Sequence, residues 1–288
     1  MHEKYKLYTV NKNLSLIESL LENTSITSKK DIKNYIKHEM VYVNGIVCTI
    51  ATKVLNPGDE VKIFFTKRNI PEFDLKILYE DKDLIAIDKP AGLLSISNAK
   101  EKEITAFRLV SDYIKNNNPK AKLFVVHRLD EMTSGVLLFS KNLKLKEELQ
   151  SSWNDIVKTR EYYCVVKGKM PKSEKIESYL TMNHFQIVHS TKNKEKGLLA
   201  ITRYELINFK NSYSLLRVEI DTGRRNQIRV HMSEADHPIV GDKKYGSKVN
   251  PIGRLALHAS KLSLIDPRTN KELTIQSEIP EEILGLVK

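Results

Sequence analysis

Val125-Val126-His127-Arg128-Leu129-Asp130-Glu131-Met132-Thr133-Ser134-Gly135-Val136-Leu137-Leu138-Phe139 is the stretch around which the rest of the chain can be read. Apolar runs from Leu123 to Val126 and from Gly135 to Ser140 read as strands, and a short, charged turn joins them. A turn anchored at both ends by strands keeps its side chains in place, which is what a working carboxylate requires. Asp130 lies at its centre, with Arg128 and Glu131 close in sequence. The bland alternative is an aspartate that caps the turn and pairs with Arg128; an isolated His-Arg-Leu-Asp would favour it.

Outward from this turn, further strands are expected at Leu84 to Asp88, Tyr162 to Val166, Ile201 to Asn208 and Ser214 to Ile220. Helices are expected at Thr105 to Asn116, Leu143 to Asn154 and Asn226 to Glu234. A short polar turn around Lys210-Asn211 makes the strands before and after it an antiparallel hairpin. The predicted class is therefore α+β with a largely antiparallel mixed sheet, in preference to a doubly wound parallel sheet.

Two more clusters can carry chemistry. In Asp221-Thr222-Gly223-Arg224-Arg225-Asn226-Gln227-Ile228-Arg229-Val230-His231 a strand ends, a glycine turn follows and a helix opens among cations. Helical spacing from Asn226 would put Arg225 and Arg229 on one face. Cations oppose the positive end of a helix dipole, a misfit that suggests a ligand-facing site. Arginine suits one, because its planar fork grips carboxylates and phosphates. In Lys158-Thr159-Arg160-Glu161-Tyr162-Tyr163-Cys164-Val165-Val166-Lys167-Gly168 the two tyrosines point to opposite faces of a strand, so one can stack on a base while the other packs. Taken singly, these clusters read as a basic helix start and a core tyrosine.

The 288 residues allow one large domain or two unequal ones, and 41% hydrophobic content supports a real core. A net charge of +11 favours a polyanionic partner, although surplus lysine can also serve solubility alone. The two cysteines, Cys48 and Cys164, offer no disulfide framework, and there is no C-x-x-C or H-E-x-x-H motif. No apolar run is long enough to span a bilayer and the first twelve residues lack a signal core, so the expected compartment is the cytoplasm.

A polar seam, Thr66 to Asp74, divides the chain into residues 1–66, a linker at 67–75 and a larger domain at 76–288. Before the seam come Leu14 to Leu21 with helical spacing, then a second helix capped by Ser28, with Ile32, Tyr35 and Ile36 on its buried face. Lys29, Lys33 and Lys37 share another face of that helix, a surface that could dock phosphates or simply be solvated. Asn44-Gly45 and Asn56-Pro57-Gly58-Asp59 mark turns between strands. From Leu14 to Phe65 the order of helix, helix, Val-x-Val-Asn-Gly and Pro-Gly-Asp-x-Val resembles the S4-type module, which implies RNA binding.

The larger domain resembles the RluA-type pseudouridine synthases from about Leu75 to Pro280. The resemblance rests on His127-Arg128-Leu129-Asp130 with Thr133-Ser134-Gly135, and on Thr222-Gly223-Arg224 with Gln227-Ile228-Arg229-Val230-His231. Supporting pieces are Asp88-Lys89-Pro90-Ala91-Gly92, Arg160-Glu161-Tyr162, His237-Pro238-Ile239 with Gly241-Asp242 and Tyr245-Gly246, and Leu257-His258-Ala259. It implies the fold of that family and the conversion of uridine to pseudouridine in structured RNA, favouring large-subunit ribosomal RNA with transfer RNA still open. It makes Asp130 the essential carboxylate, Arg229 the arginine that pairs with it, and Tyr162 the aromatic beside the uracil. Ile228 would pack on the base's other side, and Arg128 would lie along the nucleotide and could fill the space it leaves. The chain departs from the family at Asn226, where histidine is common, at Arg160 for lysine and at Cys164 for alanine.

The reaction cuts the bond from ribose C1′ to uracil N1, turns the base and joins C1′ to C5. No atom is lost and no oxidation state changes, so no cofactor and no metal is expected. Asp130 could attack C1′, act as a base on the sugar, or add to C6 of the ring; each route needs it ionised. An arginine partner favours the charged form, and the planar fork of Arg229 would hold the carboxylate in one orientation. The target uridine must leave its stack, at about a few kcal/mol. Stacking on Tyr162 could return about 1–3 kcal/mol. The expected partner is structured RNA, with no membrane and a monomeric enzyme. The rival from another class is a catalytically silent RNA-binding ribosome assembly factor; a nucleoside hydrolase would want a carboxylate cluster that the sequence lacks.

Overall fold

In the computed structural model the chain divides into two compact units, Met1–Phe73 and Asp74–Lys288. Residues 5–38, 40–65, 75–97 and 105–288 are described. The polar seam at Thr66 to Asp74 lies outside them, and with it nearly all of the linker expected at 67–75.

The small unit runs β1 (Tyr5–Thr9), β2 (Leu14–Ser15), α1 (Leu16–Asn23), α2 (Lys29–Lys37), β3 (Val41–Val43), β4 (Ile46–Val47), β5 (Val54–Leu55) and β6 (Glu60–Phe64). Its sheet has the order β1-β6-β3-β4, and β2 pairs separately with β5. Helix α1 begins two residues later than the apolar spacing from Leu14 predicts. Ser15 and Glu18 close a capping box that fixes the start, leaving Leu14 to pair in β2. Ser28 caps α2 by accepting the Asp31 N–H at 3.3 Å. Ile32 and Ile36 are buried against Leu16, Leu20, Val41, Val61 and Ile63, whereas Lys29, Lys33 and Lys37 are exposed. Asn44 and Gly45 are both left-handed (φ 53° and 73°), as a two-residue hairpin turn that follows the strands' twist demands.

The large unit runs β7 (Ile77–Glu80), β8 (Leu84–Lys89), α3 (Ala106–Asn117), β9 (Phe124–Val125), β10 (Ser134–Ser140), α4 (Leu143–Ser151), α5 (Trp153–Ile156), β11 (Val157–Lys167), β12 (Ser173–Met182), β13 (Val188–Thr191), β14 (Leu198–Lys210), β15 (Tyr213–Ile220), α6 (Gln227–Glu234), β16 (Leu257–Asp266), β17 (Lys271–Gln276) and α7 (Glu281–Leu284). Eleven strands form one sheet, ordered β13-β12-β14-β15-β11-β16-β10-β8-β7, with β17 on β16 and β9 on β10. The pairing is antiparallel except between β10 and β16, so the sheet is mixed and largely antiparallel, and the unit is α+β as expected. β10 is buried at every position, which explains why Ser-Gly-Val-Leu-Leu-Phe-Ser shows no alternation. Gly135, the second residue of β10, has φ +110°; a Cβ there would lie 2.1 Å from the Ala259 oxygen, so glycine lets β16 approach.

Two helix expectations need correcting. The helix predicted from Leu143 to Asn154 breaks at Ser152, whose hydroxyl donates to the Glu148 carbonyl at 2.6 Å and helps end α4. The chain turns there and Trp153 stacks on the His127 ring, with centroids 5.3 Å apart. The helix predicted to open at Asn226 begins at Gln227, because Asn226 is left-handed (φ 54°). Arg225 therefore lies outside α6 and does not share a helical face with Arg229.

Candidate active site

The turn around Asp130 is pinned on every side. Before it, His127 Nε2 accepts the Leu138 N–H at 3.0 Å, which ties the turn's entry to β10. Burial pushes the His127 imidazole down to about 4, and the neutral ring is the form able to accept that bond. Leu129 both donates to and accepts from the Ser95 hydroxyl, at 3.1 and 2.8 Å. After it, the Glu131 carbonyl accepts from Lys89 Nζ at 2.9 Å and from the Gly92 N–H at 2.9 Å. Lys89 is fully buried and also donates to the Pro90 and Leu93 carbonyls. Burial, with Arg254 nearby, pulls Lys89 down to about 7, while three carbonyl acceptors favour its ammonium form. The Asp-Lys-Pro-Ala-Gly segment is thus a brace for the Asp130 turn.

Asp130 and Arg229, 99 residues apart in sequence, meet at 3.2 Å through Arg229 Nη1 and Asp130 Oδ2. The fork of Arg229, however, does not hold Asp130. It grips Asp242, with Nε to Oδ2 at 2.7 Å and Nη2 to Oδ1 at 2.8 Å. Asp242 is sealed (1% side-chain exposure), whereas Asp130 keeps 29% open. The expectation that the fork orients Asp130 is corrected accordingly: one arginine has two carboxylates, and the buried one takes the bidentate geometry. Despite its own burial, Arg229 is held more firmly charged than usual by Asp242 and Asp130.

Asp130 faces a cleft of about 1080 Å³, lined also by Tyr162, Arg128, Arg229 and Asn226. Six cationic side chains (Arg128, Arg160, Arg224, Arg225, Arg229 and Lys244) line it against two carboxylates, Asp130 and Glu131, a balance that suits a polyanion. Burial raises the Tyr162 phenol to about 12, so it stays neutral in the cleft, and no hydrogen-bond partner of its hydroxyl occurs among the described residues. Arg128 is exposed on the rim and does not pair with Asp130. Arg160 donates to the Asp221 carbonyl at 2.6 Å and lies so close to Gly223 that a Cβ there would be 2.8 Å from Nη1. Buried Gln227 ties the same turn to β14, accepting from Thr222 and the Arg224 N–H and donating to Ile201 and Thr202.

The remaining expected site residues lie elsewhere. Ile228 does not line the cleft; it is 5% exposed, in the apolar cluster against which Tyr162 also packs. Lys29, Lys33 and Lys37 belong to the small unit. Sequence reasoning missed Asp242, Tyr245 and the bracing roles of Lys89 and Ser95. Gly-Asp and Tyr-Gly were visible as short motifs, but nothing local shows which side chain they meet. Among the described residues no group of His, Cys, Asp and Glu could hold a metal ion, and no helix is long and apolar enough to cross a membrane.

A cationic cleft around one braced, partly open aspartate suits a polyanionic ligand. The model of the RNA pseudouridylate synthase family matches residues 83–234, and the chain belongs to that family. It is an RNA pseudouridine synthase, an isomerase. It is 29% identical over 280 residues to the RNA pseudouridine synthase YhcT of Bacillus subtilis, covering 94% of this chain and 91% of that one. It is 29% identical over 295 residues to ribosomal large subunit pseudouridine synthase D of Escherichia coli K12, covering 95% and 89%. In fold it resembles human RNA pseudouridylate synthase domain containing 4, with a TM-score of 0.59 at 23% identity over 74% of this chain and 92% of that one.

Proposed function

We propose that this protein isomerises uridine in structured ribosomal RNA of the large subunit, with Asp130 as the reacting carboxylate. The observation that carries the proposal is the meeting of Asp130 and Arg229 at 3.2 Å in a cationic cleft shared with Tyr162. The target uridine leaves its stack, its uracil lies against Tyr162, and its backbone phosphates meet the rim cations, Arg128 among them. The C1′–N1 bond breaks, the base turns, C1′–C5 forms, and the proton lost from C5 balances the one gained at N1. Ionised Asp130 is the group able to act as nucleophile or base during the cleavage.

The small unit, with Lys29, Lys33 and Lys37 exposed along α2, acts in this proposal as an S4-like module adding largely sequence-blind affinity for phosphates. Large-subunit ribosomal RNA is preferred over transfer RNA because a relative of similar length is named for it. A single chain in the cytoplasm is the proposed working unit; free buried thiols at Cys48 and Cys164 suit a reducing compartment. A silent binding protein would have no need of an intact Asp130–Arg229 contact.

The test is to incubate the purified protein with transcribed large-subunit ribosomal RNA and, separately, transfer RNA, and to map pseudouridines. Modification at defined positions of the ribosomal transcript is expected. Modification of transfer RNA alone overturns the substrate, and modification of neither overturns the proposal.

A further inference from the structure

We infer that Asn226 is a positioning residue for Asp130, the middle of a hydrogen-bonded relay from the Tyr245 hydroxyl to the carboxylate. The inference deepens the proposed function and rests on Asp130 being the reacting acid. It begins with a helix cap that does not cap. Asn226 sits at the N-cap of α6, where an asparagine usually gives its side-chain oxygen to a backbone N–H of the first turn. Here the residue is left-handed (φ 54°, ψ 19°) and its side chain makes no such bond. It is 8% exposed and its amide points at two groups, Asp130 and Tyr245.

Those neighbours decide which way the amide faces. An ionised carboxylate only accepts, so the nitrogen must face Asp130. It donates to Oδ2 at 2.7 Å and approaches Oδ1 at 3.2 Å, while the Asn226 oxygen accepts from the Tyr245 O–H at 2.9 Å. The Tyr245 oxygen in turn accepts the Val188 N–H at 3.3 Å, leaving its own proton for Asn226. This orientation reverses the 2.9 Å bond between Asn226 and the Tyr245 hydroxyl and gives up a 3.4 Å approach of Arg229 Nη1 to the Asn226 oxygen. Donors and acceptors then alternate without conflict from β13 to the catalytic turn.

The relay supplies what Arg229 does not. With the fork committed to Asp242, one Arg229 N–H reaches Asp130, and it reaches Oδ2 only. A single contact leaves a carboxylate free to rotate about its Cβ–Cγ bond. The Asn226 amide adds a second, shorter contact at Oδ2 and touches Oδ1 as well, so the plane of the carboxylate is set and Oδ1 is the less encumbered oxygen. Tyr245 belongs to the same cage: its ring lies 5.0 Å from the Arg229 guanidinium and its N–H reaches Asp242.

The experiment measures single-turnover pseudouridine formation, RNA affinity and the pH–rate profile for the unaltered protein, Asn226→Gly, Asn226→Asp and Tyr245→Phe. Glycine takes a left-handed backbone without strain, so Asn226→Gly removes the amide and spares the helix start. Its maximal rate should fall about 10- to 100-fold, the rate equivalent of one charged hydrogen bond, while affinity changes less than about twofold. Tyr245→Phe should lose less, because the amide stays. Asn226→Asp keeps the shape but sets a carboxylate against a carboxylate, and two such groups resist being ionised together. The acid limb of its pH–rate profile should therefore move to higher pH, which a merely structural role for Asn226 would not produce. Asn226→Gly at full rate, or Asn226→Asp with an unmoved profile, overturns the inference. If the unaltered protein also leaves the RNA unmodified, the proposed reaction falls and this inference falls with it.

Discussion

The large unit contains two arginines surrounded by aspartates, and they serve different ends. Arg268, just after β16, grips Asp266 (Nη2 to Oδ2 at 2.6 Å) and Asp81 (Nη2 to Oδ2 at 2.7 Å) and approaches Asp83 at 3.4 Å, tying the β16–β17 turn to the β7–β8 turn. Every lobe of Asp81 is occupied, since Tyr79 and the N–H groups of Asp83 and Leu84 donate to it as well. Arg229 grips buried Asp242 with one N–H on each oxygen, and the Tyr245 N–H adds a third bond, but Arg229 gives Asp130 a single N–H and leaves it open to a cleft. An arginine–carboxylate contact is therefore not the mark of a site. The mark is a carboxylate whose acceptors still face a space large enough for a nucleotide, as Asp130 does at 29% exposure and Asp242 at 1% does not.

The sharpest way to break this comparison is to remove the spare capacity. Asp130→Asn should lower pseudouridine formation by at least about 10³-fold, because an amide is neither nucleophile nor base at the sugar. RNA binding and the melting temperature should stay close to those of the unaltered protein. Single-turnover assays set beside thermal melts check this; a variant active to within tenfold would remove Asp130 from the reaction.

Arg229 comes next, because its change strikes both carboxylates. Arg229→Lys keeps the charge but cannot span Asp242 and reach Asp130 together, and activity should fall about 10²-fold with RNA affinity little altered. Arg229→Ala should also destabilise the protein by about 3–5 kcal/mol, because Asp242, at 1% exposure, is left as an uncompensated buried charge. Urea titration separates the two effects. If Arg229→Ala lost activity without losing stability, Asp242 would not depend on Arg229 to stay buried and charged.

How much of this was legible in advance follows the range of the interactions. The Asp130 turn, the hairpin at Asn44-Gly45 and the hairpin at Lys210-Asn211 depend on residues within a few positions, and local pattern found them. β12 opens Ser-Glu-Lys-Ile-Glu and the only buried residue of β17 is Ile275, so neither shows the apolar run or clean alternation of a recognisable strand. They exist because β14 and β16 offer paired edges, which no local window contains. The Asp130–Arg229 contact was named through family resemblance, not through spacing. The division of Arg229 between Asp130 and Asp242 was missed because the burial that decides it belongs to the fold. Asparagine's tolerance of the left-handed region leaves no trace in apolar periodicity, so the pattern puts Asn226 inside the helix whereas the structure starts it at Gln227.

The smallest effect should come from the arginine that has no spare carboxylate. Arg268→Ala should leave pseudouridine formation within about twofold of the unaltered protein, since neither Arg268 nor its three aspartates line the cleft. Stability should drop by about 1–2 kcal/mol at neutral pH, because the network is only partly buried and water replaces some of what is lost. The loss should depend on pH in a defined direction. Against the cost of burial, hydrogen bonds from Arg268, Tyr79 and two backbone N–H groups hold Asp81 below its usual 3.8. Hydrogen bonds from Arg268 lower Asp266 in the same sense. A carboxylate whose folded value is depressed contributes stability above its unfolded value, and that contribution fades as pH falls through the folded value. The gap between the unaltered protein and Arg268→Ala should therefore be widest at neutral pH and narrow steadily below about pH 4. Urea unfolding from pH 7 down to about pH 3 measures it. A gap that stays constant over that range would mean that Arg268 stabilises through packing of its stem rather than through its aspartates.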